Sequence, residues 1–430
     1  MNKSSLESRS IFAWCLYDFA NTSFTTLVVT FIYSAYFTKA IAENEIVGTA
    51  LWSRGITISG IIVALLSPML GALADRGGYR KLFLLVATIL CVIATTALYF
   101  VMPGQTTLAL TWFIVANISF EMGCVFYNAF LPDIAAPQKI GRVSAYGWAL
   151  GYGGGLLCMF IALFGFVNPD QPWFGFSKEV GENIRATNLL VAFWFALFSI
   201  PIFLFVNENT GRASVMNKQL FTSSLIQLKT TFHEIQRYRQ IIRLLIARLF
   251  YNDGLIMIFA FGGIYAVGTF GFSVKEIIIF GIVLNITAGL GAFAMGFIDD
   301  FYGGKKTIII SVFGLTMGCL IGVLAFSKTV FWVAGVIIGF FAGPNQSASR
   351  SLIGRFIPQE KENEFYGFFA FSGKATAFLG PLLLGVLTEL FQSQRVGMSI
   401  ILVFLIIGGS ILMHVNEKEG IYLSRHWMEP

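Results

Sequence analysis

Apolar residues along this chain come in long runs broken by short polar stretches. Crossing about 30 Å of hydrocarbon takes roughly 20 apolar residues of α-helix, so each run of that length predicts one membrane helix. The runs cover 11–38, 51–74, 80–101, 107–131, 143–167 and 187–206. After a more polar interval they resume at 241–268, 275–298, 304–326, 329–353, 364–388 and 395–415. This pattern predicts an all-α polytopic membrane protein with twelve transmembrane helices in two six-helix bundles. The first bundle is placed in 1–206, a cytoplasmic linker in 207–240, and the second bundle with a short cytoplasmic tail in 241–430.

Composition agrees. Of 430 residues, 56% are hydrophobic and only 12% charged, with 45 Phe and a mean hydropathy of +0.75. A soluble domain carries about 25% charged residues, so a water-facing surface cannot be built from this supply. The first apolar run is too long for a signal-peptide core and reads as an uncleaved first helix. The net charge of +6 does not indicate nucleic acid, because the basic residues are scattered over short loops. Cys15, Cys91, Cys124, Cys158 and Cys319 lie inside apolar runs without metal-ligand spacing, and read as packing residues with no disulfide.

Lys and Arg set the orientation. With both termini inside, the outside segments hold only Lys39, Lys178, Arg185, Lys275, Lys328 and Arg395, while Arg54, Arg248 and Lys374 lie within helices. The rest of the 29 Lys and Arg, Arg350 and Arg355 among them, fall on inside segments. Inside-positive bias of this size predicts cytoplasmic termini. In the linker, Leu225, Leu228, Phe232 and Ile235 alternate with Lys229, Arg237 and Arg239. That reads either as a helix on the anionic inner leaflet or as a solvated connection.

The two halves echo each other. Gly71, Asp75, Arg76, Gly78, Arg80 and Lys81 follow the second helix; Gly296, Asp300, Gly303, Lys305 and Lys306 follow the eighth, matching Gly71, Asp75, Gly78, Arg80 and Lys81 at a constant offset of 225. Ala13, Tyr17 and Asp18 match Ala247, Tyr251 and Asn252, and Pro137-Gln138 with Tyr146-Gly147 recur as Pro358-Gln359 with Tyr366-Gly367. A duplicated six-helix unit places a solute site at the interface of the repeats. Within the loop motif, Gly permits close helix approach and Asp can accept hydrogen bonds from a neighbouring helix N-terminus. The basic pair anchors the following helix at the inner surface.

This loop pattern resembles that of the major facilitator superfamily. Further stretches narrow the likeness: Trp14 to Asn21, Arg142 to Gly154, Phe250 to Gly254, Gln346 to Leu352, and Phe365 through Lys374 to Pro381. Together they look like the branch of the fungal vacuolar amino-acid effluxers of autophagy and their bacterial relatives, across residues 12 to about 420. The resemblance implies the major facilitator fold, a central cavity lined by helices 1, 4, 7 and 10, and a secondary transporter working as a monomer. The short loops, and the lack of an Asn-x-Ser/Thr site on an outside loop, fit a bacterial inner membrane better than a fungal vacuole.

Asp18, Arg54, Glu121, Arg248, Asp253 and Lys374 lie within apolar runs. A charge at mid-bilayer costs about 2.5–3.5 kcal/mol on insertion scales, so these must pair or face a watered cavity. Glu121, midway along the fourth helix, reads as a solute-contacting or proton-coupling carboxylate, or as half of an ion pair with Lys374 or Arg248. Asp18 and Asn21 share a face of the first helix. Arg248 and Lys374 suit an anionic group of a solute, or neutralise Asp18 or Glu121. Arg54 reads as snorkelling to the outer surface.

Neutral polar groups complete the predicted path: Asn117, Asn252, Asn345 and Gln346, the last two beside Pro344, where a kink would free carbonyls. Gly147, Gly151 and Gly155 give one smooth helix face for static or sliding contact, and Gly380-Pro381 is a packing point late in the eleventh helix. No hydrolase elbow, zinc-protease motif or Walker loop is present, and only three histidines occur, His233, His414 and His426. The reading is a proton-coupled or facilitative carrier of a small polar solute, an amino acid first, with a facilitative or efflux carrier for another organic anion, a peptide, a sugar or a drug-like solute as the alternative. It calls for no catalytic residue, cofactor, metal or nucleic acid. A non-transporting receptor or scaffold is the reading from another class.

Overall fold

The computed structural model describes residues 3–208, 218–233, 238–358 and 361–426. Among them, eleven helices are long and apolar enough to cross a membrane. The first six spans are Glu7–Ile41, Val47–Gly77, Arg80–Phe100, Thr106–Ile134, Ile140–Val167 and Glu179–Phe205. The seventh to tenth are Arg239–Phe270, Glu276–Tyr302, Gly304–Leu324 and Lys328–Phe356, and the twelfth is Gln394–Met413. Large apolar side chains such as Leu65, Ile93, Phe193, Leu290 and Phe313 stand exposed on them. Such surfaces are stable only against lipid. The protein is an integral membrane protein.

The eleventh crossing departs from the expected single helix over 364–388. It consists of two helices, Glu362–Ser372 and Leu379–Phe391, joined by turns at 373–378 that contain Lys374. The break has a local cause. Pro381 sits in the first turn of the second helix, where its missing N–H cannot bond back to residue 377, and Gly373 is a poor helix former. Sequence hydropathy passes over the break because residues 375–379 are mostly apolar. By contrast, the tenth span continues through Pro344 as one helix. The first span widens into π-helical turns over Phe24–Phe31 and Phe37–Ile41.

Contacts divide the chain into two compact units. Unit 1 comprises 1–66, 78–128 and 150–213; unit 2 comprises 67–77, 129–149 and 214–430. In unit 1 the sixth span packs on the first and third. A Cβ at Gly154 would lie 2.1 Å from the Phe19 carbonyl oxygen, so the fifth span approaches the first backbone to backbone. Stacked rings of Trp14, Tyr17 and Tyr127 fill the space beside the fourth span.

In unit 2 the tenth span packs on the eighth and ninth, and the seventh on the twelfth. A capping box of Ser273 and Glu276 starts the eighth span, and left-handed Gly271 ends the seventh. The linker contributes a helix, Lys218–His233; Ile235 and Arg237 of its predicted amphipathic pattern lie outside the described residues.

Candidate functional site

The loop motif after the second span sits in unit 2 up to Gly77. Asp75 accepts hydrogen bonds from the backbone N–H groups of Asn363 and Glu364 at 3.0 and 2.8 Å, and from the Asn363 side chain at 2.7 Å. It therefore caps the N-terminus of the helix that begins at Glu362. The matching Asp300 accepts from the N–H groups of Gly141 and Arg142, 2.9 and 3.2 Å, at the start of the fifth span, and pairs with the Arg142 guanidinium. A carboxylate at a helix N-terminus faces orphan donors and the positive end of the dipole.

The glycines explain the closeness. A Cβ on Gly71 would lie 2.3 Å from the Asn363 carbonyl oxygen, and one on Gly296 2.4 Å from Ala145 Cβ. Gly78 and Gly303 have φ of +66° and +98°, a region that side chains disfavour. Arg76 donates to Gln227, which donates to Glu364.

The basic residues behave differently from the expectation of surface anchors. Arg80 is buried, at 1% exposure. Lys81 donates to the carbonyl of Val206 at the end of the sixth span, and Lys305 to that of Met413 at the end of the twelfth, both at 2.7 Å. Cations satisfy those C-terminal carbonyls and complement the dipole. Of Arg80, Lys81, Lys305 and Lys306, only Lys306 is exposed, over the Tyr302 ring. Arg350, counted among the inside loop cations, is likewise buried; it bonds Ser144 through its hydroxyl and carbonyl.

Several partners went unread in the sequence. Asp299 is buried and binds Arg355 and Ser351. Glu417 accepts from the N–H groups of Gly304 and Lys305, and Glu208 from that of Lys81. A signal for this pair exists: Val206-Asn207-Glu208 after the sixth span recurs as Val415-Asn416-Glu417 after the twelfth.

In unit 1, Asp18 and Asn21 are buried on the first span, and the Asn21 amide nitrogen finds no hydrogen-bond partner among the described residues. Asp18 lies within electrostatic reach of Tyr152 on the fifth span. Asn117 donates to Ser59 at 2.6 Å, and Glu121, one turn further along the fourth span, is half-buried. Gly151 and Gly155 pack on Thr22 and Thr26 of the first span, so this part of the smooth face is used inside unit 1. Gly147, on the same span, falls in unit 2. Arg54 is exposed.

In unit 2 the seventh span meets the broken eleventh crossing. The Arg248 guanidinium donates to the Phe369 carbonyl and the Ser372 hydroxyl, 2.8 and 3.0 Å, and lies 3.6 Å from the Phe369 ring centroid. The Asn252 amide reaches the Gly373 carbonyl at 3.4 Å. Asp253 is 1% exposed, with the Thr376 hydroxyl of the break and the Arg248 charge acting on it. Half-buried Lys374 lies in the break itself, and Gly380 packs on Met257, ahead of half-buried Pro381. Asn345 donates to Ser311 at 3.2 Å, tying the tenth span to the ninth, with half-buried Gln346 beside it. A groove of about 530 Å³ in unit 1 is lined by Phe31, Tyr36, Lys39 and Ile184, not by these polar groups.

A family model described as vacuole effluxer Atg22 like matches residues 45–422. The chain belongs to that family. The Atg22-like chain is 27% identical to the MFS-type transporter YxiO of Bacillus subtilis over 417 residues, covering 96% of each. It is 22% identical to autophagy-related protein 22 of Yarrowia lipolytica, covering 86% of this chain and 76% of that one. In fold it is similar to the proton:xylose symporter XylE, with a TM-score of 0.78 at 13% identity, covering 99% and 100% of the two chains. The human organic anion transporter MFSD10 follows at 0.72 and 13%, covering 94% and 99%. At such identities the structures show the fold alone, the major facilitator fold. The Atg22-like protein is a major facilitator superfamily transporter and not an enzyme.

Proposed function

We propose that this Atg22-like transporter moves a small polar organic solute by alternating access, with an amino acid as first choice and protons as the driving ion. The supporting observation is the broken eleventh crossing. Non-helical backbone at membrane depth is stable only where protein buries it or a cavity wets it, and in transporters such breaks accompany solute sites. Here the break carries Lys374, with Arg248 and Asn252 against it. Two cations beside freed backbone groups suit a carboxylate-bearing solute.

The loop-motif contacts of Asp75 and Asp300 are in this reading the gates that open and close in each cycle. The bacterial inner membrane, cytoplasmic termini, the two six-helix bundles of 1–206 and 241–430, and monomeric action belong to the same proposal, supported by the Lys and Arg bias and the bacterial relative. The second reading, an organic anion without an amine, rests on the same two cations. Uptake of single labelled amino acids and of dicarboxylates into proteoliposomes separates the two. Arg248→Met and Lys374→Met are expected to abolish uptake of any carboxylate solute; unchanged uptake in both overturns the placement.

A further inference from the structure

At the end of unit 1 away from the N-terminus, the first and fifth spans finish, the sixth begins, and a loop joins the third to the fourth. Among them lies the groove of about 530 Å³, a size within the range of small-molecule pockets, roughly 300–1,000 Å³. Its walls are apolar: Phe31, Ile32 and Ala35 of the first span, Leu163 and Val167 of the fifth, and Ile184 of the sixth. One charge borders it. Lys39, in the last turn of the first span, is exposed and has no hydrogen-bond or ion-pair partner among the described residues. Helical rise places Phe31 on the order of 10 Å deeper in the bilayer than Lys39. The groove is therefore cationic at the membrane surface and apolar toward the bilayer interior.

Local backbone features shape this groove. Phe31 and Lys39 fall in the two π-helical stretches of the first span, and such turns recur at functional sites. The Tyr36 hydroxyl donates to the Val180 carbonyl at 2.9 Å, and the Tyr36 ring lies 2.4 Å from where a Cβ on Gly181 would sit. Val180 itself is left-handed, with φ of +54°. For a β-branched residue that conformation is an outlier, of the kind that gathers at ligand clamps.

We infer that this groove holds one anionic phospholipid, its phosphate on Lys39 and an acyl chain along Phe31, Ile32 and Leu163. Charge and depth select the occupant. A free phosphate leaves the apolar walls uncovered, and a lipid without net charge leaves the Lys39 ammonium uncompensated. A membrane helix, about 10 Å across and 30 Å long, is too large to seat there. Lying against three spans, the lipid braces the ends of the first, fifth and sixth spans of unit 1, so the folded chain gains stability when it binds. None of the polar groups of the proposed solute path lines the groove. The lipid site therefore stands whichever solute is carried.

The test uses the whole purified protein in an uncharged detergent. Native mass spectrometry counts the lipids retained when phosphatidylglycerol and phosphatidylcholine of equal chain length are supplied together. Melting temperature is followed as each lipid is added alone. The wild type is expected to retain one phosphatidylglycerol and to melt higher with it than with phosphatidylcholine. Lys39→Gln should need about fivefold more phosphatidylglycerol for half the rise, the contribution of one Lys near an anionic surface. Ala35→Trp fills the groove from an exposed position and should abolish the retained lipid while melting as the wild type does in detergent alone. If Ala35→Trp fails to fold, Lys39→Gln decides by itself. Retention of neither lipid or of both equally overturns the site, and so does a phosphatidylglycerol response unchanged in Lys39→Gln. A rise with inorganic phosphate that matches the rise with phosphatidylglycerol assigns Lys39 to a free anion and overturns the inference as well.

Discussion

Arg248 and Asp253 stand five positions apart on the seventh span, and the Arg248 charge acts on Asp253. Arg248 has its guanidinium bonded to the Phe369 carbonyl and the Ser372 hydroxyl and stacked on the Phe369 ring. A Cβ on Gly373 would lie 2.7 Å from Arg248 Nη1, so glycine there makes room for the cation. Gly373→Ala is expected to displace Arg248 and cut uptake about tenfold or more, which corresponds to roughly 1.4 kcal/mol in the transport barrier; initial uptake rates check it. Glu121→Gln keeps shape and removes a charge. If Glu121 contacts solute or proton, the pH profile of uptake flattens, whereas a packing role leaves that profile as in the wild type. Arg248 was visible as a charge in an apolar run, but its partners Phe369 and Ser372 were not, since they lie on a helix far away in sequence.

At the scale of helices, the duplicated loop motif is a pair of caps. Asp75 holds the start of the helix at Glu362, and Asp300 holds the start of the fifth span. Asp75→Asn and Asp300→Asn each remove a charge facing a helix N-terminus and should destabilise by about 1–3 kcal/mol, read as a lower melting temperature of purified protein. Gly71→Leu is expected to act more severely, because the Asn363 carbonyl already occupies the space of a Cβ. The motif spacing told where these carboxylates stand and even what sort of partner they take. Which helix supplies it required the fold. The eleventh crossing shows the opposite case: hydropathy averages over a window and cannot register six residues of turn between two apolar helices.

For the whole molecule, hydropathy and the Lys and Arg bias lead to one topological expectation. Single cysteines placed in a cysteine-free background at residue 3 and at residue 104, in the loop between the third and fourth spans, should react from opposite faces of the membrane. The residue-3 thiol should be protected from an impermeant reagent in intact cells. Labelling of residue 3 from outside with protection of residue 104 would reverse the orientation, and labelling of both would overturn the three crossings between them.

Twelve crossings and a duplicated loop were legible because lipid leaves an unsatisfied backbone or an exposed charge few alternatives. Those penalties act residue by residue along the chain, so they are written in it directly. The break at 373–378 and the burial of Arg80, Arg350 and Asp253 depend on which helices pack together. Burial and hydrogen-bond satisfaction are properties of neighbours in space, and only the tertiary structure decides those.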